Sequence, residues 1–174
     1  MDELLVEFKS ESKDLISELM TILEDLEDDP GKVKDLENYG QIVDRIMGGA
    51  KSLAMAVDDS ETLNRIGTYA ELCKAVGYKG SQIEGNEEFA NIVIALLLDA
   101  TEMLEQMVVT LGTDQQKDIK QHLNQTFLDR LTWVSDQFAE GTRASVAIQG
   151  KGEKVPEAQK QVQIDDLLAQ LGLT

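Results

Sequence analysis

Apolar residues recur along this chain at spacings of three and four, a rhythm that predicts helix almost throughout. The first stripe is Leu5, Phe8, Ser12, Leu15, Leu19, Ile22 and Leu26, on a helix from about Asp2 to Asp28. "DDPGK" then supplies turn chemistry. A second helix, from about Lys32 to Val57, carries Val33, Leu36, Gly40, Val43, Met47, Ala50, Ala54 and Val57. After "DDSET", with Ser60 as the expected N-cap, a third holds Leu63, Ile66, Ala70, Cys73 and Val76. "GYKGSQIEGN" reads as a loop. A fourth helix begins near Glu87 and carries Phe89, Ile92, Val93, Leu96, Ala100, Met103, Leu104, Met107 and Leu111. A fifth follows "GTD" and holds Ile119, Leu123, Phe127, Leu131, Val134 and Phe138.

No segment alternates with the period of two that marks a strand. Five helices on short loops predict an all-α antiparallel bundle, a four-helix core plus a fifth helix. That domain would span residues 1–139. Beyond it, residues 140–161 hold glycines, Pro156 and no stripe, which reads as a flexible linker. In residues 162–174 the stripe returns, with Ile164, Leu167, Leu168 and Leu171 on one side and Asp165 and Asp166 on the other. A helix this short needs a groove, on its own domain or on a partner.

Charge narrows the partners. The chain of 174 residues has a formal net charge of −17, so phosphate backbones and anionic lipid repel it. Nucleic acid and membrane are therefore not expected partners, while a basic patch on another protein is. Aromatic residues make up only 5%, so the core must be aliphatic. Cys73 is the single cysteine and fits a reducing cytoplasm. The acidic amphipathic start is not expected to be a signal peptide, and the longest apolar run is too short for a bilayer. A cytoplasmic protein is the expectation. Trp133 and Phe138 read as core, His122 as a helix-surface residue, and the acidic "EDLEDD" lacks the spacing of a calcium loop.

The second helix carries a second stripe beside its apolar one: Glu37, Gln41, Asp44, Gly48 and Lys51. Two adjacent glycines inside a helix each cost it about 1 kcal/mol. Gly48 and Gly49 therefore suggest either a close helix crossing or a bare face where another protein docks. Glu37 and Gln41 form an acid–amide pair one turn apart, and Gln41 lies one turn before Asp44. A second such pair, Asp118 and Gln121, sits three apart on the fifth helix.

"DRIMGGAKSLAMAV", residues 44–57, resembles the histidine-phosphotransfer signature His-x-x-Lys-Gly-Ser/Gly-Ala, most closely the domain at the front of the chemotaxis kinase CheA. Gly48, Gly49 and Ala50 match its small residues, and Ile46 its apolar position. The phosphoacceptor position holds Asp44 and the lysine position Met47. The resemblance thus implies a phosphotransfer-like bundle that cannot relay phosphate through histidine, is no kinase, and keeps a receiver-docking face at Gly48, Gly49 and Lys51.

"VQIDDLLAQLGLT" is similar to the receiver-binding tail of the chemotaxis phosphatase CheZ. That similarity implies a tail, Ile164, Asp165, Asp166, Leu167, Leu168 and Leu171, that captures a CheY-like response regulator. A linker of about 20 residues spans roughly 25 Å, which would hold the captured receiver near the bundle at about millimolar concentration. CheZ-like phosphatases act with an acid and an amide one turn apart. The acid engages a receiver lysine and the amide orients the attacking water. The resemblance offers Gln41, Asp44 and Glu37 for that role, with Asp118 and Gln121 as the alternative. It implies no cofactor of the chain's own and Mg2+ on the receiver. The expectation is a two-component signalling protein of chemotaxis that promotes receiver dephosphorylation, with a non-catalytic adaptor or scaffold as the alternative. The chemotaxis kinase complex and a second copy of the chain are further candidate partners.

Overall fold

The computed structural model describes residues 2–58, 60–149 and 164–173, with side chains described as far as Glu140 and again from Ile164. Among these residues there is no strand. The helices are α1 (Glu3–Asp28), α2 (Leu36–Ala56), α3 (Glu61–Gly80), α4 (Glu87–Thr110), α5 (Ile119–His122) and α6 (Gln125–Gln149). A 3₁₀ turn, Pro30–Asp35, joins α1 to α2, and a last helix, α7, covers 164–170. No helix among the described residues is long and apolar enough to cross a membrane.

Local chemistry sets the boundaries. The Asp2 carboxylate accepts the Leu4 N–H at 3.0 Å and opens α1. Pro30 disfavours helical backbone at the residue before it, and Asp29 leaves the helix at φ −142°. Gly85, at φ +66°, turns the chain into α4, whose N-cap Asn86 accepts the Phe89 N–H at 3.0 Å.

The contacts fix the directions. Phe8 lies against Gly49, and Glu11 pairs with Arg45, so α1 and α2 are antiparallel. Gly40 meets Tyr78 and Lys51 meets Gly67, which makes α2 and α3 antiparallel. Tyr69 donates to the Ala100 carbonyl, which brings the middle of α3 to the middle of α4. The Lys9 ammonium donates to the Leu111 carbonyl at 2.6 Å, which joins the start of α1 to the end of α4. Each of α1 to α4 thus packs on two others, and the four close a ring around an aliphatic core. On the outside, α6 lies antiparallel to α4, through Phe89 against Phe138 and Asp99 against Arg130.

The tightest seam joins α2 to α3. A methyl group on Gly77 would stand 2.8 Å from Tyr39 Cδ1, and one on Gly80 would stand 2.8 Å from Leu36 Cδ1. In the other direction, a methyl group on Gly40 would stand 3.0 Å from the Tyr78 ring. The stretch "GYKG" therefore continues α3 and is not the loop that its glycines suggest. Gly77 and Gly80 are buried and make room for side chains, and only Gly85 turns the chain.

Three polar groups cross the core beneath this seam. The Thr101 hydroxyl donates to the Leu97 carbonyl at 2.7 Å, leaving its oxygen to accept from the Tyr39 hydroxyl at 2.9 Å. The Tyr69 hydroxyl donates to the Ala100 carbonyl at 2.8 Å. Cys73 lies by both phenols, a buried thiol as its position on the apolar stripe predicts. Burial pushes its pKa up from an ordinary 9.0 to about 12 against the opposing pull of the two phenols. Burial likewise raises both phenols well above their usual range.

Other expectations are corrected. The fifth helix is two: α5 ends at His122, and the Asn124 side chain accepts the Phe127 N–H at 2.8 Å to start α6. Helix α6 runs to Gln149 and so takes in the first ten residues of the expected linker, while 150–163 lie outside the described residues. Ser60 stands at the N-cap of α3, but its side chain makes no capping bond. Phe138 is buried, whereas Trp133 is 46% exposed and sits edge-on to Phe89.

Helix α7 lies on this protein itself. Ile164, Leu167, Leu168 and Leu171 are buried in the same core cluster, while Asp165 and Asp166 face solvent. It ends in a Schellman motif: the Leu173 N–H donates to Leu168 O, the Gly172 N–H to Ala169 O, and Gly172 has φ +72°. A methyl on Gly172 would meet Lys120 Cε at 3.0 Å, which places this end of α7 beside α5.

Two outcomes follow from the seam and the polar groups. Gly77→Ala should destabilise the protein by about 1–3 kcal/mol in chemical denaturation, because Tyr39 has nowhere to move. That outcome runs opposite to the helix propensity of alanine. A thiol pKa raised on folding gives stability that is full below the unfolded value and lost as pH rises from about 9 to 12. Cys73→Ala should therefore flatten the alkaline fall of stability, measured as denaturation midpoint against pH.

Candidate functional site

The polar stripe of α2 lies on its outer face, beside the seam with α3. Glu37 and Gln41 are exposed, and their spacing puts them one turn apart on the same side. Asp44 is half exposed, and its carboxylate takes the Lys74 ammonium of α3 at 2.7 Å. The Lys74 ammonium also lies 6.0 Å from the centre of the Tyr78 ring. One turn further along, a methyl on Gly48 would meet nothing within 4 Å. Lys51 closes the row, paired with Glu71 at 2.6 Å, its stem laid over Gly67. On the other flank of α2, Arg45 reaches Glu11 of α1 at 3.3 Å.

The two glycines therefore have different reasons. Gly49 lets α1 approach, since its methyl would touch the Phe8 ring at 3.4 Å. Among the described residues nothing packs where a Gly48 side chain would stand. Lys51 has a structural task, because its pair with Glu71 ties α2 to α3. Met47 is only partly buried. The cation nearest Asp44 comes from α3. Sequence reading could not place Lys74, since only the antiparallel register of α2 on α3 sets it opposite Asp44. The signal that fixes that register, Gly40 against Tyr78, lay inside the stretch read as loop.

Chemically, the Asp44 carboxylate is neutralised by its lysine, and an exposed pair of this kind contributes at most about 1 kcal/mol to stability. Glu37 and Gln41 are exposed, with an acceptor acid and a bifunctional amide turned to solvent. The alternative pair is differently placed. The Asp118 carboxylate accepts the Lys120 N–H at 3.0 Å, and Gln121 Oε1 accepts the Asp118 N–H at 3.1 Å. Asp118 and Gln121 thus form a capping box that starts α5.

His122 stands between two clefts. One is lined by Arg65, Gln116 and Lys117, the other by Asp99, Asn124 and Arg130. Burial and then the nearby Lys117 charge lower the imidazole pKa, favouring the neutral ring. Among the described residues no group of three or more His, Cys, Asp or Glu is placed to hold a metal ion.

Because Gly48 is exposed, helical and unopposed, Gly48→Ala should stabilise the protein by about 0.5–1 kcal/mol in denaturant titration. Unchanged or reduced stability would mean that the face is covered within the chain. No family model, curated protein or solved structure matches this chain.

Proposed function

We propose that this chain is a chemotaxis-type signalling protein that binds a phosphorylated CheY-like receiver and promotes its dephosphorylation. In this reading the bundle is phosphotransfer-like in arrangement, a four-helix core with further helices beside it. The α7 segment captures the receiver, and the outer face of α2 meets the receiver's active site.

The observation that carries the reading is the state of that face. Glu37 and Gln41 are free of capping roles, exposed, and followed on the same side by the open surface at Gly48. A receiver can approach the helix axis most closely where no side chain projects. Asp118 and Gln121 are engaged in starting α5, which leaves the α2 pair as the better candidate.

The reaction is hydrolysis of an acyl phosphate. Water attacks phosphorus, the bond to the receiver's aspartyl oxygen breaks, and the carboxylate leaves with the electron pair. The water's protons pass to phosphate and solvent. Mg2+ belongs to the receiver. The role assigned to Gln41 is to orient the water through its amide oxygen, and that assigned to Glu37 is to engage a receiver cation.

One observation favours the alternative, a non-catalytic adaptor that docks receivers. The Asp44 carboxylate, at the centre of the face, is already held by Lys74. The rate at which receiver aspartyl phosphate decays separates the two readings. Acceleration by the wild-type chain, lowered about 100-fold by Gln41→Ala with receiver affinity kept, is expected for the phosphatase. No acceleration at saturating protein would leave the adaptor.

A further inference from the structure

The residues assigned to partner capture are already occupied. Ile164, Leu167, Leu168 and Leu171 are 0–4% exposed, all four within the core cluster of the bundle. Leu173, behind the helix, packs on the same cluster. The other side of α7 presents Asp165, Asp166, Ala169 and Gln170 to solvent. One apolar face cannot cover two surfaces at once.

We propose that α7 is a latch: the bundle holds it in cis, and a partner gains it only by exchange. This inference rests on the functional reading above and adds its regulation. The seven residues of 164–170 are too few to stay helical alone, so the released segment is unfolded. Release therefore opens its hydrogen bonds, Leu171 N–H to Leu167 O, Gly172 N–H to Ala169 O and Leu173 N–H to Leu168 O. The exposed pair Asp165 and Asp166 gives a basic partner a first contact while the apolar face is still covered. The partner that fits has an apolar groove rimmed by lysine or arginine. Docking in cis scales its apparent affinity down to the intrinsic value times the fraction of chains with α7 free.

Two measurements test the latch. In the full chain without partner, the amides of Leu171, Gly172 and Leu173 should exchange with solvent at least about ten-fold more slowly than in a synthetic peptide of residues 162–174. Equal rates would overturn the latch whatever any receiver does. With a CheY-type receiver activated by beryllofluoride as probe, the peptide should bind at least about ten-fold more tightly than the full chain. Equal affinities alongside protected amides would overturn the competition. If the receiver binds neither, the functional reading fails, and the exchange rates alone decide the cis latch.

Discussion

The structure depends on Tyr39 fitting under Gly77. The ring crosses from α2 onto the backbone of α3, and its hydroxyl reaches Thr101 on α4. One side chain thereby fixes the separation of two helices and the register of a third. The neighbours follow from it. Leu36 reaches Gly80, Gly40 takes the Tyr78 ring, and Lys51 lies over Gly67, all in the same antiparallel register. A buried phenol needs a hydrogen-bond partner, so Tyr39 also constrains where α4 can lie. A core made only of leucine and alanine would fill the same volume with less to say about register.

That register creates the candidate site without any residue having been placed for it alone. Once Gly40 of α2 lies against Tyr78 and Gly67 of α3 lies under Lys51, α2 must carry Asp44 opposite Lys74 and Lys51 opposite Glu71. The inner face of α2 sets the seam, and its outer face inherits the geometry. Gly48 stands apart from this scheme, because neither the seam nor the core uses its missing side chain.

The helical class, the stripes and the start of α4 were legible in the sequence because they follow from local spacing and caps. The glycine-rich end of α3 was not. Gly77 and Gly80 carry the composition of a turn, and only their tertiary partners, Tyr39 and Leu36, reveal them as helix. The break at Asn124 was hidden for a related reason: the apolar spacing from Ile119 to Phe138 persists across it. Trp133 was read as core from its helical spacing, yet on α6 it is left about half exposed beside Phe89. Within the site, Glu37, Gln41 and Asp44 were placed on one face by counting alone. The lysine that neutralises Asp44, and the capping task of Asp118 and Gln121, required three dimensions. The tail showed its amphipathic pattern plainly, but no pattern states which surface an apolar face covers.

The distribution of ion pairs has a further consequence. Ion pairs bridge different helices at Arg45–Glu11, Lys51–Glu71, Lys74–Asp44 and Arg130–Asp99. Positive charge is scarce in this chain, at 16 residues against 33 acidic ones, and these pairs draw it into the joints between helices. What remains facing outward is largely acidic. The molecule therefore carries a long-range field of one sign, which speeds the approach of cationic surfaces and turns away copies of itself. Ionic strength acts on it in two opposed ways, relaxing the repulsion among surplus carboxylates while loosening the joints.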